Sequence, residues 1–592
     1  MANSEIRQCQ SCKNTFEIDA QDFQFYEKIK VPPPTWCPEC RNIRRMTWRE
    51  DHTLYKSVCA LCKKPTLSIY APEGPFTVYC RECWWSDKWD SLDYGREYDF
   101  SRPFFSQFRE LIEAVPRAAL TGTGLVNSEY CHASQDLKNC YLVFWGYRSQ
   151  NVQYSFAPIF SRDSCDMFTV ENSDHAYEAS HSNRLYRTRF AYFSEDCMDS
   201  AFLWSCAGCS DCFGCVNLRK QKYSIFNQQF SKEEYLKQME YWDLGSHTRL
   251  EEAKDKFKKL LLSVPQRYSR SVNAVNCSGD VIRDAKNCQS CFSVVSGAEN
   301  CKYIYFGGLG IKDSYDMSSG GNMSELNYEI MGLTAAQRVF FSVGGGDYRD
   351  VYYSTWPDHS SNMFGSAFIR HKKYCILNKQ YSPSEYEVMV AKIKKHMDEM
   401  PYVDQRGRVY KYGEFFPSEL SAFAYNESAA MSWYPKTKQE ALSQGFSWKD
   451  VPAKERQATT RASDLPDHIR DVKDDILEET ILCAHQGKCN EQCGTAFRLT
   501  ATELNFYREM NLALPRFCPN CRLVQRRGLQ NGFKTWNRKC QCAGKISENS
   551  VYENTARHEH GESPCGESFQ TTFSPERFEI IYCDKCYKAE FF

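Results

Sequence analysis

Cys12 to Cys37 and Cys493 to Cys518 each span 25 positions, and the residues between them agree in step. Phe16, Ile18, Phe25, Tyr26 and Pro34 correspond to Phe497, Leu499, Phe506, Tyr507 and Pro515, and beyond the cysteines Pro38 and Arg41 correspond to Pro519 and Arg522. A second template follows each copy: Cys62 to Cys80 and Cys565 to Cys583 both span 18 positions, with Tyr70, Pro72, Glu73 and Tyr79 matching Phe573, Pro575, Glu576 and Tyr582. The chain therefore begins and ends with the same pair of cysteine modules.

Thirty-one cysteines in 592 residues allow two readings, disulfides in an oxidising compartment or metal-bound thiolates in a reducing one. The N-terminal MANSEIRQCQ has no basic head followed by an apolar stretch, so no signal peptide is expected, and no apolar run is long enough to span a membrane. The cysteines of the outer modules fall mostly in CxxC pairs, whose two sulfurs reach one tetrahedral ion from a single tight turn. Cytoplasmic placement follows as an expectation. A net charge of -1 supplies no global field for nucleic acid, so any such contact must come from local patches.

Module one offers Cys9, Cys12, Cys37 and Cys40, and module two Cys59, Cys62, Cys80 and Cys83, each a complete four-thiolate set for structural zinc. Module three keeps Cys493, Cys518 and Cys521, with Cys489 expected as fourth ligand and Cys483 in reserve. Module four keeps Cys565, Cys583 and Cys586 but has Glu562 where Cys59 aligns. The missing ligand is open among Cys540, Cys542, His558 and His560, with Cys542 put first. About four structural zinc ions are expected, each coupling on the order of 10 kcal/mol of binding to the folding of a module too short for a large core. The second CxxC of modules one and three runs into basic segments, which predicts a treble-clef helix carrying Arg41, Arg44, Arg45 and Arg49 in one copy and Arg522, Arg526 and Arg527 in the other. These arginines are candidates for phosphate contact, or for balancing the charge of a four-thiolate site.

The middle is duplicated too. Asn139-Cys140, Asp163-Ser164, Met167 and Tyr177-Glu178 recur as Asn287-Cys288, Asp313-Ser314, Met317 and Tyr328-Glu329, with offsets between 148 and 151. Short aromatic or β-branched runs alternate with Asn, Asp, Ser and Gly about every 11 to 14 residues, which predicts two tandem parallel β-solenoids in preference to a β-sandwich. Each copy closes on a capping box, Ser231 with Glu234 and Ser382 with Glu385, so a helix should follow each. Cys206, Cys209, Cys212 and Cys215 form a CxxCxxCxxC run open to two readings, a metal cluster or small side chains inside the solenoid. The second copy has Ser360, Met363 and Ser366 at the last three positions, which favours the second. The expected layout is mainly β: zinc modules at 1–56 and 57–100, helix plus solenoid at 101–242 and again at 243–400, a linker with helices at 401–480, and zinc modules at 481–530 and 531–592. Within the linker, DHIRDVKDDILEETIL reads as a helix.

The module-one pattern of CxxC, FxI, FY and CPxCR resembles the zinc-ribbon and treble-clef domains of large bacterial proteins from environmental and candidate-phylum genomes. CFGCVNL, KYCILNKQYSPSEY and IIYCDKCY are similar to segments of the same group. The resemblance covers most of the chain and implies zinc binding in a multi-module layout, without an activity to carry over. Modules one and two meet its cysteine pattern in full, and modules three and four depart from it. The sequence shows no phosphate loop, nucleophile motif or HExxH, so a non-enzymatic binding protein is expected, with RNA or DNA as leading ligand through the arginine helices. A protein–protein scaffold is the alternative, and a polysaccharide-acting enzyme using Asp163, Asp166 and Glu178 is a third reading.

Overall fold

The computed structural model describes residues 4–50, 52–450, 458–489 and 492–592. It is mainly β: two parallel β-solenoids, short helices, and cysteine modules toward both ends of the sequence. One solenoid is a nine-stranded sheet running from Tyr141–Phe144 to Gln228–Gln229, and the other a ten-stranded sheet from Val272–Val275 to Lys379–Gln380. Strands pair in chain order and in parallel, except that each solenoid ends on an antiparallel hairpin.

Register gives the coil length. Gln150 pairs with Arg162, Arg162 with Asp174 and Asp174 with Tyr186, so one coil takes 12 residues. In the second solenoid, Lys302, Tyr315 and Tyr328 stack with coils of 13. A finer period lies inside the coil. From Asp163 through Asp166, Thr169, Asn172, His175 and Glu178, every third residue has a left-handed φ, between 44° and 58°. Each turns the chain through a corner, which costs an L-residue free energy that the stacked hydrogen bonds must offset.

The residue after each corner points inward and is small or apolar: Ser161, Ser164, Met167, Val170, Ser173 and Ala176 are almost fully buried. A serine there is doubly satisfied. Ser161 Oγ donates to Ile159 O and accepts from Ser173 N, and Ser173 Oγ donates to Glu171 O and accepts from Leu185 N. Cys206, Cys209, Cys212 and Cys215 occupy four successive inward positions, and their thiols donate to backbone carbonyls at 3.3 to 3.6 Å, Cys212 to Ser210 O and Cys209 to Leu218 O among them. They belong to the same ladder as the serines. Replacing Cys209 with Ser, the residue found at position 360 of the other copy, should change unfolding free energy by about 1 kcal/mol or less and leave bound metal unchanged, as read by denaturant titration and elemental analysis.

The chain divides into two compact units, one of residues 1–120 and 271–450, the other of 121–270 and 451–592. The N-terminal modules thus fold with the second solenoid and the C-terminal modules with the first. The predicted capped helices are present as Lys232–Met239 and Pro383–Glu399, each with its capping box closed. The helix expected over 467–482 is not. That segment forms 3-10 turns at Ile469–Asp471 and Asp474–Leu477 and a strand at Ile481–Leu482, because Ile481 and Leu482 pair with Phe497 and Ala496 of module three. Among the described residues no helix is long and apolar enough to cross a membrane.

Candidate metal centres and the arginine helices

Each module places one cysteine pair in the turn of an antiparallel hairpin and the other at a helix N-terminus. In module one the strands Glu5–Gln8 and Thr15–Ile18 flank Cys9 and Cys12, and Cys37 caps the helix Pro38–Met46. In module two Tyr55–Val58 and Pro65–Ser68 flank Cys59 and Cys62, and Cys80 caps Arg81–Trp85. Thiolate charge beside a helix N-terminus is favoured by the dipole. Cys12 and Cys37 sulfurs lie 3.7 Å apart and those of Cys62 and Cys80 3.8 Å. Zn–S bonds of about 2.3 Å in a tetrahedron require sulfurs about 3.8 Å apart, so both tetrads fit zinc. Burial opposes ionisation of Cys59, yet backbone N–H groups of Cys62, Cys80 and Leu61 outweigh it and pull the thiol down to about 6.

One hydrogen bond identifies the first ligand of every module. Cys37 N donates to Cys9 Sγ and Cys80 N to Cys59 Sγ, both at 3.2 Å. In module three Cys518 N donates to Cys483 Sγ at 3.3 Å, and in module four Cys583 N donates to Cys540 Sγ at 3.2 Å. Cys483, Cys493, Cys518 and Cys521 accordingly gather as one tetrad and Cys540, Cys565, Cys583 and Cys586 as another. This corrects two expectations. Cys483 takes the place given to Cys489, and Cys540 the place given to Cys542. The reason is that the hairpin turn has been lengthened: Cys483 and Cys493 follow and precede the paired strands Ile481–Leu482 and Ala496–Phe497, and Cys540 and Cys565 stand between Trp536–Lys539 and Ser568–Thr571. Strand pairing, not cysteine spacing, marks the ligand. Glu562, aligned with Cys59 by spacing, is exposed and pairs with Lys545.

The displaced candidates remain close by. Cys542, His558 and His560 gather with Cys586 as a further group, and in module three His485 Nδ1 lies 3.4 Å and Cys489 Sγ 3.8 Å from Cys521 Sγ.

The arginines are where the sequence reading fails most clearly. Arg41, Arg44, Arg45, Arg49, Arg522, Arg526 and Arg527 are all between 0% and 7% exposed, so none is presented to a phosphate backbone. Arg41, Arg44, Arg45, Arg522, Arg526 and Arg527 reach into the solenoids. Arg41 Nη2 lies 2.8 Å from Asp316, and Arg45 Nη1 bridges Asp316 at 3.1 Å and Glu329 at 2.7 Å. Arg44 pairs with Glu329 at 3.0 Å and Glu414 at 2.9 Å. In the other unit Arg522 pairs with Asp166 at 3.2 Å, and Arg526 with Asp166 at 2.9 Å and Glu178 at 3.3 Å. Arg527 lies over the rings of Phe156 and Phe168. Burial opposes charge on Arg41, but Asp316 outweighs it and holds its pKa well above the ordinary value. Burial pushes Glu329 up, with Arg45 and Arg44 pulling it back.

Asp166 and Glu178 are thereby engaged under module three, and Asp163 accepts from Asn151 at the end of an amide ladder.

No protein-family model and no curated protein matches the chain. A solved structure assigned to an acetyltransferase from Desulfovibrio desulfuricans G20 aligns with 10% identity over 49% of this chain and 86% of its own, with a TM-score of 0.10, too weak a likeness to carry any argument.

Two outcomes are expected. Stripping metal with a chelator should lower the urea midpoint of both units, and added zinc should restore it; an unchanged midpoint would show that the tetrads hold no structural ion. Arg45→Ala strands Asp316 and Glu329 without their shared guanidinium and should cost about 3 to 5 kcal/mol, measured by denaturant unfolding.

Proposed function

We propose that the protein is a non-enzymatic, zinc-dependent scaffold in which each solenoid is clasped by a pair of zinc modules and offers its outer faces to a protein partner. One observation carries this reading. The arginines that a nucleic-acid module would direct at phosphates are spent internally, against Asp316, Glu329 and Glu414 in one unit and Asp166 and Glu178 in the other. The tetrads then serve to hold the arginine helices in place. Supporting features are the sulfur spacings that fit zinc and the gathering of the outer cysteines in fours, which suits a reducing compartment such as the cytoplasm.

The exterior carries repeated polar ladders. Asn127, Asn139, Asn151 and Asp163 form a side-chain ladder up one corner of the first solenoid, and Asn276, Asn287, Asn300 and Asp313 do so in the second. Each ladder gives its solenoid a corner of hydrogen-bonding amides, beside exposed ion pairs such as Arg184 with Asp196 and Arg338 with Asp350.

Titrating the zinc-loaded protein against labelled single- and double-stranded RNA and DNA over a salt series decides between scaffold and nucleic-acid binder. The scaffold reading expects no binding at low salt. Tight binding that weakens steeply with salt would overturn it, since such a slope measures displaced counterions.

A further inference from the structure

The geometry points to a second metal ion in module four, joined to the first through the thiolate of Cys586. This goes beyond the four-tetrad reading, because it concerns side chains that the tetrads do not use. Cys586 belongs to two groups at once, with Cys540, Cys565 and Cys583 on one side and with Cys542, His558 and His560 on the other. Two tetrahedral ions need eight bonds, and sharing one thiolate leaves seven side chains, the number gathered there. A thiolate has lone pairs enough to bind two ions.

Cys542 Sγ lies 3.0 Å from His558 Nδ1, and His560 Nε2 lies 3.3 Å from Cys586 Sγ. Bonds of about 2.3 Å to sulfur and about 2.0 Å to nitrogen put tetrahedral S and N ligands about 3.5 Å apart, so the His560 pair is close to the required spacing and the Cys542–His558 pair must open by about 0.5 Å to receive an ion.

The second, independent observation is what stands behind the histidines. A metal-binding imidazole gives its other N–H to an acceptor, which fixes the tautomer and strengthens the ligand. His558 turns Nδ1 to the site and places Nε2 2.7 Å from Glu590 Oε1, a carboxylate whose side chain is 0% exposed. That carboxylate also accepts from the backbone N–H groups of Thr555 and Ala556. His560 does the reverse, turning Nε2 to the site with Nδ1 2.6 Å from Ser563 O. Opposite nitrogens face the same point and each partner nitrogen is occupied. Asn554 Nδ2 donates to Cys542 Sγ at 3.2 Å, as thiolate ligands require.

The loop between Cys540 and Cys565 also needs such a fastening. Its regular backbone pairing amounts to the bridges Cys542 to Ser547 and Ile546 to Glu553, and Ile546 and Val551 are exposed, so a metal would supply order that apolar burial does not. Nitrogen and sulfur donors in equal part select zinc or a chemically similar ion over calcium or magnesium. In module three Cys521, the equivalent of Cys586, is approached by His485 and Cys489 without paired histidines, and we confine the second ion to module four.

The test is native mass spectrometry of the zinc-loaded full chain, comparing ion counts for wild type, His560→Gln and Cys542→Ser. Each variant should carry one zinc fewer than wild type while keeping its urea midpoint for the rest of the fold. An equal count in wild type and both variants would overturn the second ion. Loading wild type with an NMR-active cadmium isotope gives a readout that needs no variant: two module-four resonances coupled through Cys586 are expected, and uncoupled resonances would refute the bridge.

Discussion

The structure depends on a buried lattice of guanidinium and carboxylate groups between a cysteine-capped helix and the side of a solenoid. Each guanidinium in it is nearly inaccessible, and such a charge is tolerated only when paired and hydrogen-bonded. Asp316 accepts from both Arg41 and Arg45, and Glu329 from both Arg44 and Arg45, so loss of one member leaves others uncompensated. The lattice holds only if the helix is delivered in one orientation. That orientation comes from the cysteines: Cys37 and Cys518 are the residues at which the helices begin, and each is fixed to the hairpin by its N–H to the first ligand sulfur. Cysteine cluster, helix and solenoid are thus linked in series, with the helix N-terminus at the cluster and its arginines at the buried acids.

The same linkage explains why the two duplications in the sequence are one event structurally. Arg41 and Arg45 correspond to Arg522 and Arg526, and Asp316 and Glu329 to Asp166 and Glu178; pairs form between corresponding members in both units. Aromatic packing follows suit. Phe25 and Tyr26 pack on Tyr328, and Phe506 and Tyr507 on Tyr177, the equivalent position.

Much of this was legible in the sequence. The β-solenoid could be read from spacing, and so could the helix beginning at each second CxxC and the capping boxes, because each rests on residues close together in the chain. The coil's three-residue corner was harder, since Thr169, Tyr154 and Phe190 take left-handed corners that composition assigns to Asn or Gly; the CxxCxxCxxC run displays that period directly. Cys483 and Cys540 were misplaced because lengthened turns break the cysteine spacing while leaving the strands that define it. The arginines were misread for a different reason: their partners lie 271 to 372 positions away for hydrogen bonds such as Arg45 to Asp316 and Arg526 to Tyr154 O, and a cationic helix looks the same whether it faces water or a buried acid.

Two such similar interfaces raise the question of how each module meets its own solenoid. The answer lies where the copies differ. Asn42 of module one becomes Leu523 in module three, and Ser318 of the second solenoid becomes Phe168 in the first. Ser318 Oγ donates to Asn42 Oδ1 in a buried hydrogen bond at 2.7 Å, whereas the corresponding positions of the other unit, Leu523 and Phe168, are both apolar and buried. Exchanging the modules would set Leu523 against Ser318 and Asn42 against Phe168, leaving buried polar groups without partners at about 1 to 3 kcal/mol each. Arg44 adds to this. Its counterpart is Gln525, so module one on the wrong solenoid would bury a guanidinium away from Glu414, and module three in its place would leave Glu414 without one. Correct pairing is therefore enforced by the penalty on the exchanged pairs as well as by the strength of the native ones.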